Sequence, residues 1–350
     1  MSRLFRAWLI AVLLSFSACT GVAEWQEVDP PVGPTLPDAG PDAIRLGRWE
    51  AAGDGLPAGA AVRKLAHHDG HLFAIVEVGG ASSLHVRPLE GGAWRAFEPE
   101  GRSASEVFGT VAVFDRALYV TTADVNAGTG ALYTLRFADD PWKRIETAPA
   151  LPLSALFRRS GELLVAASGS AATAGLYSSR DGGVTWSRRT AAQGTAAFFA
   201  HPVRALVASP SAQRLFAVGD ASAGFGGLFS SDDAGATWTA AALKGEVIDL
   251  AAGDAYVLVS TTEEGEQRSD NYGSTFHPVS LGTSAYAFFV SGSRALAATS
   301  GGVFVSDDGG ATWRSASEGL PSPVELRRVY LAGRTAVAAG PSGVFIARLQ

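Results

Sequence analysis

Few side chains in this 350-residue chain are grouped in a way that suggests chemistry. Cys19 is the single cysteine, so its thiol has no partner for an intrachain disulfide and is open to acylation or alkylation. His67, His68 and His71 are imidazoles of the kind that hold zinc. A zinc site takes three or four converging ligands, however, and these three flank an Asp69-Gly70 pair that reads as a hairpin tip. No metal or other cofactor is expected. No glycine-rich phosphate loop follows a strand and opens a helix, so nucleotide chemistry has no support.

The one arrangement that recurs is Ser-x-Asp/Asn-x-Gly-x-Thr-aromatic. It occurs as Ser179, Asp181, Gly183, Thr185 and Trp186; as Ser231, Asp233, Gly235, Thr237 and Trp238; as Ser269, Asn271, Gly273, Thr275 and Phe276; and as Ser306, Asp308, Gly310, Thr312 and Trp313. These residue types make a tight hairpin. The carboxylate or amide accepts backbone N–H groups just downstream, the glycine takes a positive φ, and the hydroxyls bond within the same turn. The aromatic then opens the next strand and turns its ring into a core.

Each turn needs strands on both sides, and the sequence supplies them. Gly175-Leu176-Tyr177-Ser178 and Gly302-Val303-Phe304-Val305 alternate as half-buried strands do. The four motifs start 52, 38 and 37 residues apart, close to the period of about 40–45 for four-stranded propeller blades. Two weaker copies keep the frame without the motif. Leu84-His85-Val86-Arg87 leads to Trp94, and Leu132-Tyr133-Thr134-Leu135 leads to Trp142. The C-terminal strand Gly343-Val344-Phe345-Ile346 has no motif after it, while Trp49 to Pro57 matches Trp313 to Pro321. The N-terminal segment therefore supplies the strand that the last unit lacks.

These motifs resemble the Asp-box, or BNR repeat, of sialidases and related propellers. The resemblance implies an all-β fold: a seven-bladed β-propeller over residues 46–350 with four-stranded antiparallel blades, the last closed by the strand near Trp49. Its seven core aromatics are Trp49, Trp94, Trp142, Trp186, Trp238, Phe276 and Trp313. In such propellers the motif is structural, and sites form where loops converge on one end of the channel. The channel candidates here are Arg63, Arg204 and Arg327 on presumed inner strands, Glu325 beside Arg327, and the loop acids Asp124 and Glu263. Sialidases grip a substrate carboxylate with three arginines and use a Tyr–Glu nucleophile pair with an Asp acid/base. Their Arg-Ile-Pro motif is missing, since Ile44-Arg45-Leu46-Gly47 has no proline. No catalytic residue is assigned. The chain is also similar to single-propeller photosystem II assembly factors, which bind partner proteins. The expectation is a non-catalytic binding or scaffold module for a protein or glycan, monomeric, with a sialidase-type glycoside hydrolase as the alternative.

The N-terminus reads as an export signal over residues 1–18. Arg3 and Arg6 precede an apolar run that is shorter than the roughly 20 residues a spanning helix needs. Phe16-Ser17-Ala18-Cys19 resembles a bacterial lipobox, which implies lipidation at Cys19 and anchoring to the outer membrane. Residues 19–45 form a Pro-rich tether. The chain has a net charge of −6 and no block of Lys or Arg, which argues against nucleic acid as a partner.

Overall fold

The computed structural model describes residues 44–124, 126–137, 140–159, 161–169, 173–189, 203–209, 214–219, 227–253 and 255–350. Cys19, the signal and nearly all of the tether lie outside them. The described residues form seven sheets, each of four antiparallel strands. We number the blades 1 to 7 by their innermost strands: Ala61–His68, Glu106–Phe114, Leu153–Arg159, Ala205–Ala208, Val247–Ala252, Ala285–Ser291 and Arg328–Ala332. Each inner strand packs beside the next, and that of blade 7 returns to blade 1, so the sheets make a closed propeller.

Burial falls off with distance from the axis. The second strands are covered on both faces by neighbouring blades and read as continuous apolar runs, such as Leu72-Phe73-Ala74-Ile75-Val76 and Leu163-Leu164-Val165-Ala166-Ala167. Alanines at Ala297, Ala298, Ala338 and Ala339 are fully buried where the blades converge and space is least. The outermost strands are two or three residues long and mostly exposed. Edges this short give a foreign strand little to pair with.

The ring closes as the repeat pattern requires. Glu50 and Ala51 pair with Ile346 and Phe345, the outermost pairing of blade 7. The seam continues outward through the Leu46–Leu349 bridge and the bond from Gln350 N–H to Arg45 O at 2.9 Å. Ile44 is buried and donates its N–H to Asp307 at 2.7 Å, so the last two residues counted with the tether are bonded to the propeller.

Candidate functional site

The four Ser-x-Asp/Asn turns join the third and fourth strands of blades 3 to 6, on the outer side. In blade 3, Ser179 Oγ accepts the Gly183 N–H at 2.7 Å and donates to Asp181 Oδ1 at 2.8 Å. Asp181 also accepts the Thr185 N–H at 2.9 Å and its hydroxyl at 2.5 Å, and the Trp186 indole closes on Gly183 O at 3.2 Å. The set recurs around Asp233 and Asp308. Asn271 keeps the frame but reverses its last bond, donating Nδ2–H to Thr275 Oγ1 at 2.8 Å. The Thr185 hydroxyl and amide, with Ser179, hold the Asp181 carboxyl down to about 2. Burial works against Asp233 and Asp308, but the same hydroxyl and amide bonds still lower both. These acids spend their acceptor capacity inside the turn.

The turns also seat each blade on the one before. Gly273 has φ +79°, and a Cβ there would lie 2.6 Å from Phe216 of blade 4; at Gly310 it would lie 2.6 Å from Leu258 of blade 5. Arginines reach forward to the same turns. Arg189 donates to Ala234 O, Arg214 to Tyr272 O at 2.7 Å, Arg268 to Gly309 O at 2.7 Å, and Arg314 to Ile44 O at the corresponding place in blade 7. Sequence reasoning missed these fasteners. They leave from different strands, so no common spacing marks them.

The channel candidates fall at the opposite, inner edge. The inner strands of blades 1, 3, 5 and 6 each carry a one-residue bulge near their start: Arg63, Ser154, Ile248 and Tyr286. Arg204 and Arg327 stand at the same place in blades 4 and 7, with their N–H groups on Val218 O and Ala339 O, the strand partners of the residues that follow them. A bulge bends its strand and re-aims a side chain. The three arginines thus share one end of the channel, Arg63 and Arg327 in adjacent blades and Arg204 across the ring.

Each of these arginines meets its own carboxylate. Arg63 pairs with Glu77 at 2.9 Å, Arg204 with Glu246, and Arg327 with Glu325 at 2.6 Å. The Arg327 guanidinium also lies over the Tyr286 ring, 5.4 Å from its centre. The Tyr330 ring packs edge-on against Phe289 at 5.3 Å. Asp124 is at the same end but is not a loop residue: it is the buried last residue of the second strand of blade 2, paired with Glu106 of the inner strand. It accepts the Ser105 hydroxyl at 2.5 Å and the amides of Asn126 and Ala127, and these bonds hold its pKa down. Glu263 is exposed in the turn between the second and third strands of blade 5.

Two further charged residues stand beside the bulges. Arg328 is buried and donates to Arg63 O and Arg327 O. Asp249 is buried on the inner strand of blade 5. A lone acid in the apolar run Val247-Ile248-Asp249-Leu250-Ala251 was the signal that could have found it. At the far end of the channel, Asp69 and Gly70 form the expected hairpin tip with positive φ. Among the described residues no group of three His, Cys, Asp or Glu could hold a metal.

No family model matches the chain. No curated protein matches it either. Solved structures do. YCF48 from Cyanidioschyzon merolae is 16% identical, with 87% of this chain and 99% of that one covered at a TM-score of 0.62. A YCF48 structure with D1 peptide bound is also 16% identical, covering 88% and 98% at 0.62. Virginiamycin B lyase from Staphylococcus aureus is 8% identical, covering 87% and 99% at 0.61. The extracellular domain of BT4673 from B. thetaiotaomicron is 12% identical, covering 85% of this chain and 39% of that one at 0.60. At these identities the likeness is one of fold. The same fold carries a peptide-bound protein and a lyase, so function rests on the site.

Proposed function

We propose that the chain is an exported Asp-box propeller, lipid-anchored at Cys19, that acts as a non-catalytic binding module at the channel mouth. The observation that carries this reading is the distribution of the three arginines. Arg63, Arg204 and Arg327 stand in separate blades, and each is engaged by its own glutamate. A glycosidase of the sialidase type needs its arginines gathered on one carboxylate and a tyrosine within reach of a glutamate. A mouth that carries three separate guanidinium–carboxylate pairs suits a polar partner surface, where such charges give register and discrimination.

A protein is the partner we favour over a glycan, and the YCF48 structure with a bound peptide supports that choice. Export is supported by the match to an extracellular domain. No described helix is long and apolar enough to cross a membrane.

The test is capture from the cell envelope by wild type and by a variant with Arg63, Arg204 and Arg327 changed to Gln. A protein held by wild type and lost by the variant supports the reading. A protein held equally by both removes the mouth as the site. Hydrolysis of a fluorogenic sialoside by the purified propeller, abolished in the same variant, would replace the binding reading with an enzymatic one.

A further inference from the structure

Asp249 is a buried acid beside the mouth whose chemistry the binding role does not use. It follows the bulge residue Ile248 on the inner strand of blade 5 and is 1% exposed. Its Oδ2 accepts the Phe288 N–H at 2.6 Å, which joins blade 5 to the inner strand of blade 6. Its Oδ1 is buried without a hydrogen-bond partner. A carboxylate left this way is costly, whereas a neutral acid is far less so.

The groups around it are few. Its own strand offers the Leu250 amide, and blade 6 offers the Phe288 amide, with Tyr286 two residues earlier. Ser260, opposite it in register, turns its hydroxyl to Ala285 O at 2.9 Å. The inner strand of blade 4, Ala205–Ala208, carries no charge, and Arg204 just ahead of it is held by Glu246. Two cations act on Asp249 from the far side of the ring, Arg328 of blade 7 and Lys64 of blade 1. Burial outweighs both, and the carboxyl is pushed up to about 8. Arg328 is the group that ties this acid to the mouth, because its guanidinium sits on the carbonyls of both Arg63 and Arg327.

We propose that Asp249 is a proton-operated latch of the channel. As the neutral acid it joins blades 5 and 6 through Phe288 and leaves Arg328 on the carbonyls beneath Arg63 and Arg327. As the carboxylate it competes for Arg328 and Lys64 and resets the mouth. The effect on a partner rests on the binding reading, while the latch itself is a property of the protein alone.

The experiment follows the Phe288 amide and the Arg328 Nε resonances by NMR from pH 5.5 to 9.5, in wild type and in Asp249→Asn. The amide variant keeps the shape and cannot ionise. Both wild-type resonances are expected to move together with a midpoint near 8, and neither to move in the variant. Resonances that stay flat in wild type, or that titrate identically in the variant, overturn the latch and leave the partner-capture result untouched. Melting temperatures give a second reading. A carboxyl raised from its unfolded value of about 4 loses stability as pH climbs toward its folded value. Wild type should therefore fall several degrees against Asp249→Asn between pH 5 and 9, and parallel curves would overturn the proposal. If the variant does not fold, the wild-type titration decides alone.

Discussion

Blades 3 to 6 carry the motif turn, while blades 1, 2 and 7 do not, and the two groups hold their aromatic differently. In the motif blades the tryptophan indole bonds within its own turn, to Gly183, Gly235 or Gly310. In the plain blades it reaches to the blade before. Trp49 donates to Ala316 O at 2.6 Å and Trp94 to Ala52 O at 2.8 Å, each acceptor three residues after the preceding blade's aromatic. Trp142 meets that same place as a ring, 5.7 Å from Phe97, and its indole nitrogen has no partner. A motif turn is therefore a local fold that is then docked, whereas a plain blade completes its corner only by contact with its neighbour. Two residues do similar work from opposite sides of this divide: Arg87 joins Trp94 on Ala52 O at 2.8 Å, and Arg189 reaches forward from blade 3 to Ala234.

The largest effects should come from the buried aromatics, and the two groups should differ in where the damage shows. Trp49→Ala removes a buried ring and the bond across the seam, and is expected to cost about 3–5 kcal/mol in urea unfolding. Trp238→Ala in a motif blade should fall in the same range of about 3–5 kcal/mol, because its ring is also buried. It should leave the seam intact, so protease cleavage near residue 50 should rise only for Trp49→Ala. A Trp49→Ala loss under about 1 kcal/mol would dissolve the distinction.

Next comes the seating of the turns. Gly273→Ala meets Phe216 and keeps a strained φ, and should lose about 1–3 kcal/mol. Gly70→Ala has the same positive φ but nothing within 4 Å, and should lose about 1 kcal/mol at most from backbone strain. Equal losses at the two sites would mean that the turns do not bear on their neighbours.

Acid should then separate the two groups. Asp181, Asp233 and Asp308 have depressed pKa values, so the stability they give is present above the unfolded carboxyl range and is lost as pH falls through about 2 for Asp181. Amide exchange at Gly183 should accelerate as pH falls toward 2, and at Gly235 and Gly310 as pH falls below the unfolded carboxyl range, after correction for intrinsic rates, while the Trp94 amide on Asp54 O stays protected. The smallest effect is expected for Asp308→Asn, which copies what blade 5 does with Asn271. It should change stability by less than about 1 kcal/mol, and a larger loss would show that the threonine bond requires a charge.

The sequence made the architecture legible because the turns are local. A serine, an acid, a glycine and a threonine within seven residues fix a hairpin, and its recurrence fixes the blades. The match of Trp49 to Trp313 revealed the closing strand for the same reason. The mouth was legible only in part. Arg63, Arg204 and Arg327 could be placed at inner strands, but their common position at the strand starts, on a bulge for Arg63 and just ahead of the strand for the other two, comes from strand register, which no spacing encodes. Glu246 meets Arg204 from another blade, and Arg328 reaches two carbonyls on different blades. Contacts of that kind exist only once the blades have docked on one another.

That closure sits next to the point where the chain enters the propeller. Ile44 is clasped by Asp307 and Arg314, and the closing pair Glu50 and Ala51 follows within a few residues. Tension carried by the polypeptide ahead of Ile44 therefore meets the buried Ile44 and, a few residues on, the buckle of the ring. The load path runs through the pairing that completes blade 7, so a pull on the leash tests the clasp first.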